Sequence, residues 1–253
     1  MKYVIGNLKM NILSPSDRER YFKMLKSELI GKKFKNLKVI LCPSPVHLES
    51  FANNLAGKNV HIGAQDVFWE KSGSYTSEVS AWMVKNLQAE YTIIGHSERR
   101  KYFGETSAMD NLKIKAALKA GLVVIYCIGE LREQRDNDLE ADILSIQLEE
   151  GLKNIPAGKL EKIIIAYEPV WAVGTDVIPK SNEVMEAKII IKKILTGMYG
   201  QKNGLKTAIL YGGSVKHKNA EQLCIEPGMD GVLVGRESLN PHEFIKIAQI
   251  IDQ

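Results

Sequence analysis

The 253-residue chain is 45% hydrophobic, 25% charged and 7% aromatic, the usage of an ordinary globular protein, and at this length it buries roughly 70–75% of its unfolded surface without needing a disulfide or metal staple. Its 34 basic and 30 acidic residues leave a formal charge of +4, too mild to suggest a nucleic-acid binder. The longest uncharged apolar-rich run, Gly121 to Gly129, falls far short of the roughly 20 residues that span a bilayer.

Short, β-branched apolar runs alternate with longer segments of helical period. In chain order, Tyr3–Gly6 precedes the amphipathic Asp17–Ile30, and Val39–Cys42 precedes Val46–Leu55. Val60–Ala64 and Tyr91–Gly95 lead to Ala108–Ala120; Val123–Cys127 leads to Asp138–Leu152, and Ile163–Tyr167 to Asn182–Met198. Ala208–Tyr211 and Gly231–Val234 come last, followed by Pro241–Ile251, with Asn240 as N-cap and Pro241 in the first helical position. Gly57 and Gly121 fall where helix C-terminal glycines are expected. The runs are too continuously apolar for half-exposed antiparallel strands and read as parallel strands covered on both faces.

Eight strand–helix units allow a closed (β/α)8 barrel or a long doubly wound sheet. The absence of a Gly-x-Gly-x-x-Gly turn favours the barrel. No Pro- or Ser-rich linker divides the chain, so residues 1–253 are expected to form one α/β domain of TIM-barrel type. Lys32, Lys33, Lys35 and Lys38 read as a solvated loop. No apolar h-region follows Met1–Lys9, so no secretory signal is expected, and Cys42, Cys127 and Cys224 read as free thiols of a reducing cytoplasm.

Barrel chemistry gathers on the loops after the strands. That ring holds Asn7 and Lys9, then Gln65, then His96, Ser97, Glu98, Arg99 and Arg100, then Glu130, Glu168, Gly212-Gly213-Ser214 and Gly235-Arg236. The glycines of the last two turns either close tight bends or let backbone N–H groups approach a phosphate. Glu168 precedes Pro169 and reads as a solvated turn residue or, if buried, a general base. His96 opens a short helical stretch and reads as a structural histidine or as a neutral hydrogen-bond donor to a developing oxyanion. Lys9 is a surface lysine or a fixed positive charge, and Cys127 reads as packing. The histidines show no ligand spacing, so no metal site is expected.

Several stretches, taken together and in order, resemble triosephosphate isomerases over essentially the whole chain. The family's Asn-Trp-Lys-Met-Asn stands here as Asn7-Leu8-Lys9-Met10-Asn11, and its third loop as Gly63-Ala64-Gln65-Asp66 with Trp69-Glu70-Lys71-Ser72-Gly73. Ile94-Gly95-His96-Ser97-Glu98-Arg99-Arg100, Cys127-Ile128-Gly129-Glu130, residues 166–175 from Ala166 to Thr175, and Tyr211-Gly212-Gly213-Ser214-Val215 complete the set. The resemblance implies that Glu168 moves a proton between adjacent carbons of dihydroxyacetone phosphate, while His96, Lys9 and Asn7 stabilise the enediolate and Glu98 orients them. It implies a phosphate site at Gly174, Ser214, Gly235 and Arg236, chiefly through backbone N–H groups. It also implies a lid over Pro169–Thr175, touched by Tyr211, and a cofactor-independent enzyme of glycolysis and gluconeogenesis. Finally it implies a homodimer built through the loop Lys71–Ser77, with Thr76 reaching the Asn7–Lys9 region of the neighbouring subunit.

The chain departs from the family pattern at Leu8, at Ser77, in a shortened lid exit over residues 175–179, and at Arg236, where a second glycine is usual. The last two also suit related isomerases of tetrulose phosphates such as erythrulose phosphate. A barrel that binds a sugar phosphate without turning it over is the third reading; it does not require Glu168, His96 and Lys9 together.

Overall fold

Each of the eight apolar runs forms a parallel strand: β1 (Lys2–Asn7), β2 (Leu37–Cys42), β3 (His61–Ala64), β4 (Tyr91–Ile94), β5 (Val123–Ile128), β6 (Ile163–Tyr167), β7 (Ile209–Tyr211) and β8 (Gly231–Val234). The computed structural model describes residues 1–55, 59–173 and 177–253. Each strand pairs with its neighbour in chain order, and β1 closes the ring against β8 in the register Val4↔Val232 and Ile5↔Leu233. Strand side chains alternate between faces, so continuous apolar runs supply two cores at once. Ile5, Ile40, Tyr91, Ile93, Ile125, Ile164, Leu210 and Leu233 fill the barrel interior. Their neighbours Val4, Val39, Val124, Ile165, Ile209 and Val232 face outward into a larger core beneath the helices.

The helices are α1 (Pro15–Leu29), α2 (Leu48–Leu55), α3 (Ala81–Asn86), α4 (Ser97–Phe103), α5 (Ser107–Ala120), α6 (Arg132–Asp136), α7 (Glu140–Gly151), α8 (Ser181–Tyr199), α9 (Gln201–Gly204) and α10 (Pro241–Ile251). Helix α10 begins and ends where the sequence pattern places it, with the Asn240 side chain accepting the His242 N–H. Helix α1 starts two residues early, because Ser14 accepts the Asp17 N–H at 3.1 Å and Pro15 is tolerated in the first turn. Helix α7 starts late because Asp138 sits at φ +56°, which no α-helix accommodates. After β7 no full α-helix forms; the connection contains a five-residue π-helical turn, Glu221–Ile225. Gly121 ends α5 in the left-handed region as expected, whereas Gly57 lies outside the described residues. None of the helices is long and apolar enough to cross a membrane among the described residues.

Candidate active site

Asn7 ends β1 and is buried, and its Oδ1 accepts the Lys9 N–H at 3.1 Å. The Gln65 amide, from the loop after β3, donates to Lys9 O and to Cys42 O, both at 2.9 Å. Together these bonds hold Lys9 at φ +51°, an uncommon conformation for a residue with a side chain. The constraint aims its ammonium at Glu98, with Nζ 2.7 Å from Oε1. The pair is partly exposed, and such pairs contribute little to stability; its consequence is the direction in which Lys9 points.

His96 caps α4. Its Nδ1 accepts the Glu98 N–H at 3.2 Å. A ring nitrogen that accepts a hydrogen bond carries no proton, so the proton is on Nε2 and the imidazole is neutral in this arrangement. Nε2 lies 3.1 Å from Glu168 Oε1. The start of a helix suits this, since its unpaired N–H groups place partial positive charge there and disfavour a second cation.

Glu168 follows β6 and is only 2% exposed. Its N–H donates to Ile128 O at 2.8 Å, and Oε2 accepts the Ser97 N–H at 3.0 Å. Gly212 makes room for it: a Cβ on that residue would stand 2.7 Å from Glu168 Cγ. Cys127, read from the sequence as packing, lies against the same carboxylate, and burial together with the Glu168 charge pushes its thiol well up. One carboxylate oxygen of Glu168 thus holds the Ser97 N–H and the other lies beside His96 Nε2.

Glu130 has a role that its position after β5 does not announce. It is fully buried and accepts hydrogen bonds from Tyr167 Oη at 3.0 Å and Trp171 Nε1 at 2.8 Å, while its carbonyl accepts the Val170 N–H at 3.1 Å. Arg132 and Arg135 flank the Trp171 ring. The short turn Val170–Ala172 after Pro169 is thereby fastened to β5. Gly174 and Thr175, expected in the phosphate site and lid, lie outside the described residues, and Tyr211 is buried with its hydroxyl beside Gly213.

A cavity of about 350 Å³ joins these groups, lined by Asn7, Lys9, His96, Glu98, Glu168, Ser214, Gly235 and Arg236 among others. Ser214 Oγ donates to Ala172 O at 3.0 Å, linking the turn after β7 to the Val170–Ala172 segment. Gly235 opens the turn Arg236–Leu239, and its carbonyl is fixed by Ser238 Oγ at 2.6 Å. Arg236 is exposed on this rim. Lys216, which the sequence reading did not single out, also lines the cavity, so the cations Lys9, Lys216 and Arg236 stand on its wall beside the carboxylates Glu98, Glu168 and Glu237. The set offers an anion pocket, two donors for oxygens and a carboxylate to carry a proton. Among the described residues no group of three or more His, Cys, Asp or Glu is placed to hold a metal ion.

The family model described as triosephosphate isomerase matches residues 2–251. Triosephosphate isomerase of Dictyoglomus turgidum is 37% identical over 248 residues, covering 98% of both chains. That of Chlorobium chlorochromatii is 39% identical over 248 residues, covering 98% of this chain and 97% of its own. The crystal structure of triosephosphate isomerase from Bartonella henselae superposes with a TM-score of 0.88 at 33% identity, covering 100% of this chain and 99% of that one. With the strand-end residues converging on one cavity and the match running from end to end, the chain belongs to the triosephosphate isomerase family.

Proposed function

We propose that the chain interconverts dihydroxyacetone phosphate and glyceraldehyde 3-phosphate by proton transfer through an enediolate. The observation that carries this reading is the approach of Glu168 Oε1 to His96 Nε2, 3.1 Å apart on the wall of a cavity that Lys9 also lines. Glu168 takes a proton from the carbon beside the carbonyl and returns it to the neighbouring carbon. The His96 Nε2–H and the Lys9 ammonium, with Asn7, hold the oxygens as negative charge develops, and Glu98 keeps Lys9 on target. Ser214, Gly235, Arg236 and Gly174 hold the phosphate, chiefly by backbone N–H groups. Glu168 takes up one proton and delivers one, exchangeable with solvent in between, and the electron pair stays within the substrate, so the reaction calls for no cofactor.

The active form is a homodimer through residues 71–77. The whole of that loop is exposed, as are Met10, Leu13, Val46, Tyr102 and Phe103, and apolar side chains exposed in this number favour a partner surface. Sedimentation is expected to give a dimer; an active monomer would contradict it. The enzyme works in the cytoplasm, in keeping with three buried free thiols.

Initial rates measured on glyceraldehyde 3-phosphate and on erythrulose phosphate test the substrate. Faster turnover of the triose is expected. A preference for the tetrulose would replace the reading with that of the related isomerases, and binding of both without turnover would leave a sugar-phosphate-binding barrel.

A further inference from the structure

Asp110, on α5, is fully buried outside the cavity, and its carboxyl group pairs with the Arg100 guanidinium. Arg100 donates from Nε to Gly95 O at 2.9 Å and from a terminal nitrogen to Cys127 O at 3.4 Å. The Gly95 N–H donates to Glu105 Oε1 at 3.2 Å. Side chains of α4 and the following turn thus hold both polar groups of the residue before His96. Gly95 itself is left-handed at φ +75°, and a Cβ there would stand 2.9 Å from both Arg100 and Asp110. The same guanidinium joins the exits of β4 and β5, next to the Cys127 that touches Glu168.

A buried carboxyl–guanidinium contact is a poor device for stability alone, because desolvation, which here pushes the Asp110 carboxyl up to about 8, offsets its attraction, and apolar residues of like volume often serve as well. An apolar pair has no means of fixing a planar fork that reaches carbonyls on two strands. We propose that Asp110 is a positioning residue for the isomerisation: through Arg100 it sets the Gly95 peptide, and so the direction in which His96 presents Nε2 to the substrate. The proposal rests on the reading of His96 as the donor to the substrate oxygen.

Asp110→Leu in the full-length chain tests it. The expected result is a kcat lowered by about 10- to 100-fold, with KM and the inhibition constant of inorganic phosphate within about twofold of the parent, since the phosphate end lies on other strands. The ¹⁵N resonances of the His96 ring are expected to shift, and Asp110→Asn, which keeps an oxygen toward Arg100, to recover part of the rate. An unchanged kcat with unshifted His96 resonances would overturn the proposal, as would parallel losses in kcat, phosphate affinity and melting temperature. Should Asp110→Leu fail to fold, Arg100→Lys, whose single nitrogen cannot bridge Gly95 and Cys127, takes the same measurements, and the same outcomes support or overturn the proposal. An inactive parent enzyme would instead defeat the isomerase reading, and the His96 resonances would still decide the part played by Asp110.

Discussion

Glu168 and His96 meet directly, Oε1 to Nε2 at 3.1 Å, while the Ser97 N–H holds the other carboxylate oxygen at 3.0 Å. The Glu168 carboxylate therefore rests on the first turn of α4, where helix N–H groups favour an anion. On the proposed mechanism a carbonyl oxygen takes the place of Glu168 beside His96 Nε2, and Glu168 turns toward carbon. On that proposal, substrate binding and release of the carboxylate are one exchange of neighbours at His96.

That exchange depends on the space beside Gly212, where a Cβ would stand 2.7 Å from Glu168 Cγ. Gly212→Ala displaces the carboxylate by a fraction of an ångström to about 1 Å, and kcat is expected to fall by about 100-fold. Steady-state kinetics and thermal melting check this. A normal kcat would mean that Glu168 tolerates the displacement and that its placement is looser than the packing implies.

The exposed Arg236 lies on the rim of the cavity, where its guanidinium can meet a phosphate dianion alongside backbone N–H groups. Arg236→Met is expected to weaken inhibition by inorganic phosphate by about 5- to 10-fold, the scale of one partly exposed charged hydrogen bond. The salt dependence of that inhibition is expected to flatten. An unchanged inhibition constant would confine the contribution of this residue to its backbone.

Burial raises the Glu105 carboxyl pKa, but a hydrogen bond with Asp110 and the Lys113 and Arg99 cations outweigh burial and hold it at about 2, below the usual 4.5. A carboxylate depressed in the folded state contributes stability that is complete above its unfolded pKa and disappears as pH falls through the folded one. Melting temperature is therefore expected to drop between pH 4.5 and about 2. Glu105→Gln, which leaves Asp66 as the carboxylate facing both Lys113 and Arg99, is expected to cost about 1–3 kcal/mol near neutrality and to flatten that acid limb. Parallel pH profiles for the two proteins would show that other carboxylates govern acid unfolding.

The barrel was legible because continuous apolar runs such as Ile163–Tyr167 suit a strand covered on both faces, and because strand exits place polar residues on one rim. Helix ends were less legible where a backbone conformation decides them, as at Asp138, or where a connection contracts to one irregular turn, as at Glu221–Ile225. Within the site, residues at strand exits were found by position alone. Gln65 on Lys9 O, Glu130 on Trp171, Cys127 against Glu168 and Asp110 on Arg100 were not. Each is a contact between separate elements of the chain, and local spacing holds no trace of it; an acid placed inside α5 looks the same in sequence whether it meets water or a guanidinium.

Isomerisation run in deuterium oxide, with the parent chain beside Glu168→Gln, puts the central step to the most direct test. If the Glu168 carboxylate carries the hydrogen, the product acquires deuterium from solvent at the carbon that receives it, and the variant loses about 10²- to 10⁴-fold in kcat while still binding inorganic phosphate. A variant that turns over like the parent, or one that loses phosphate binding in step with turnover, would contradict proton transfer by Glu168.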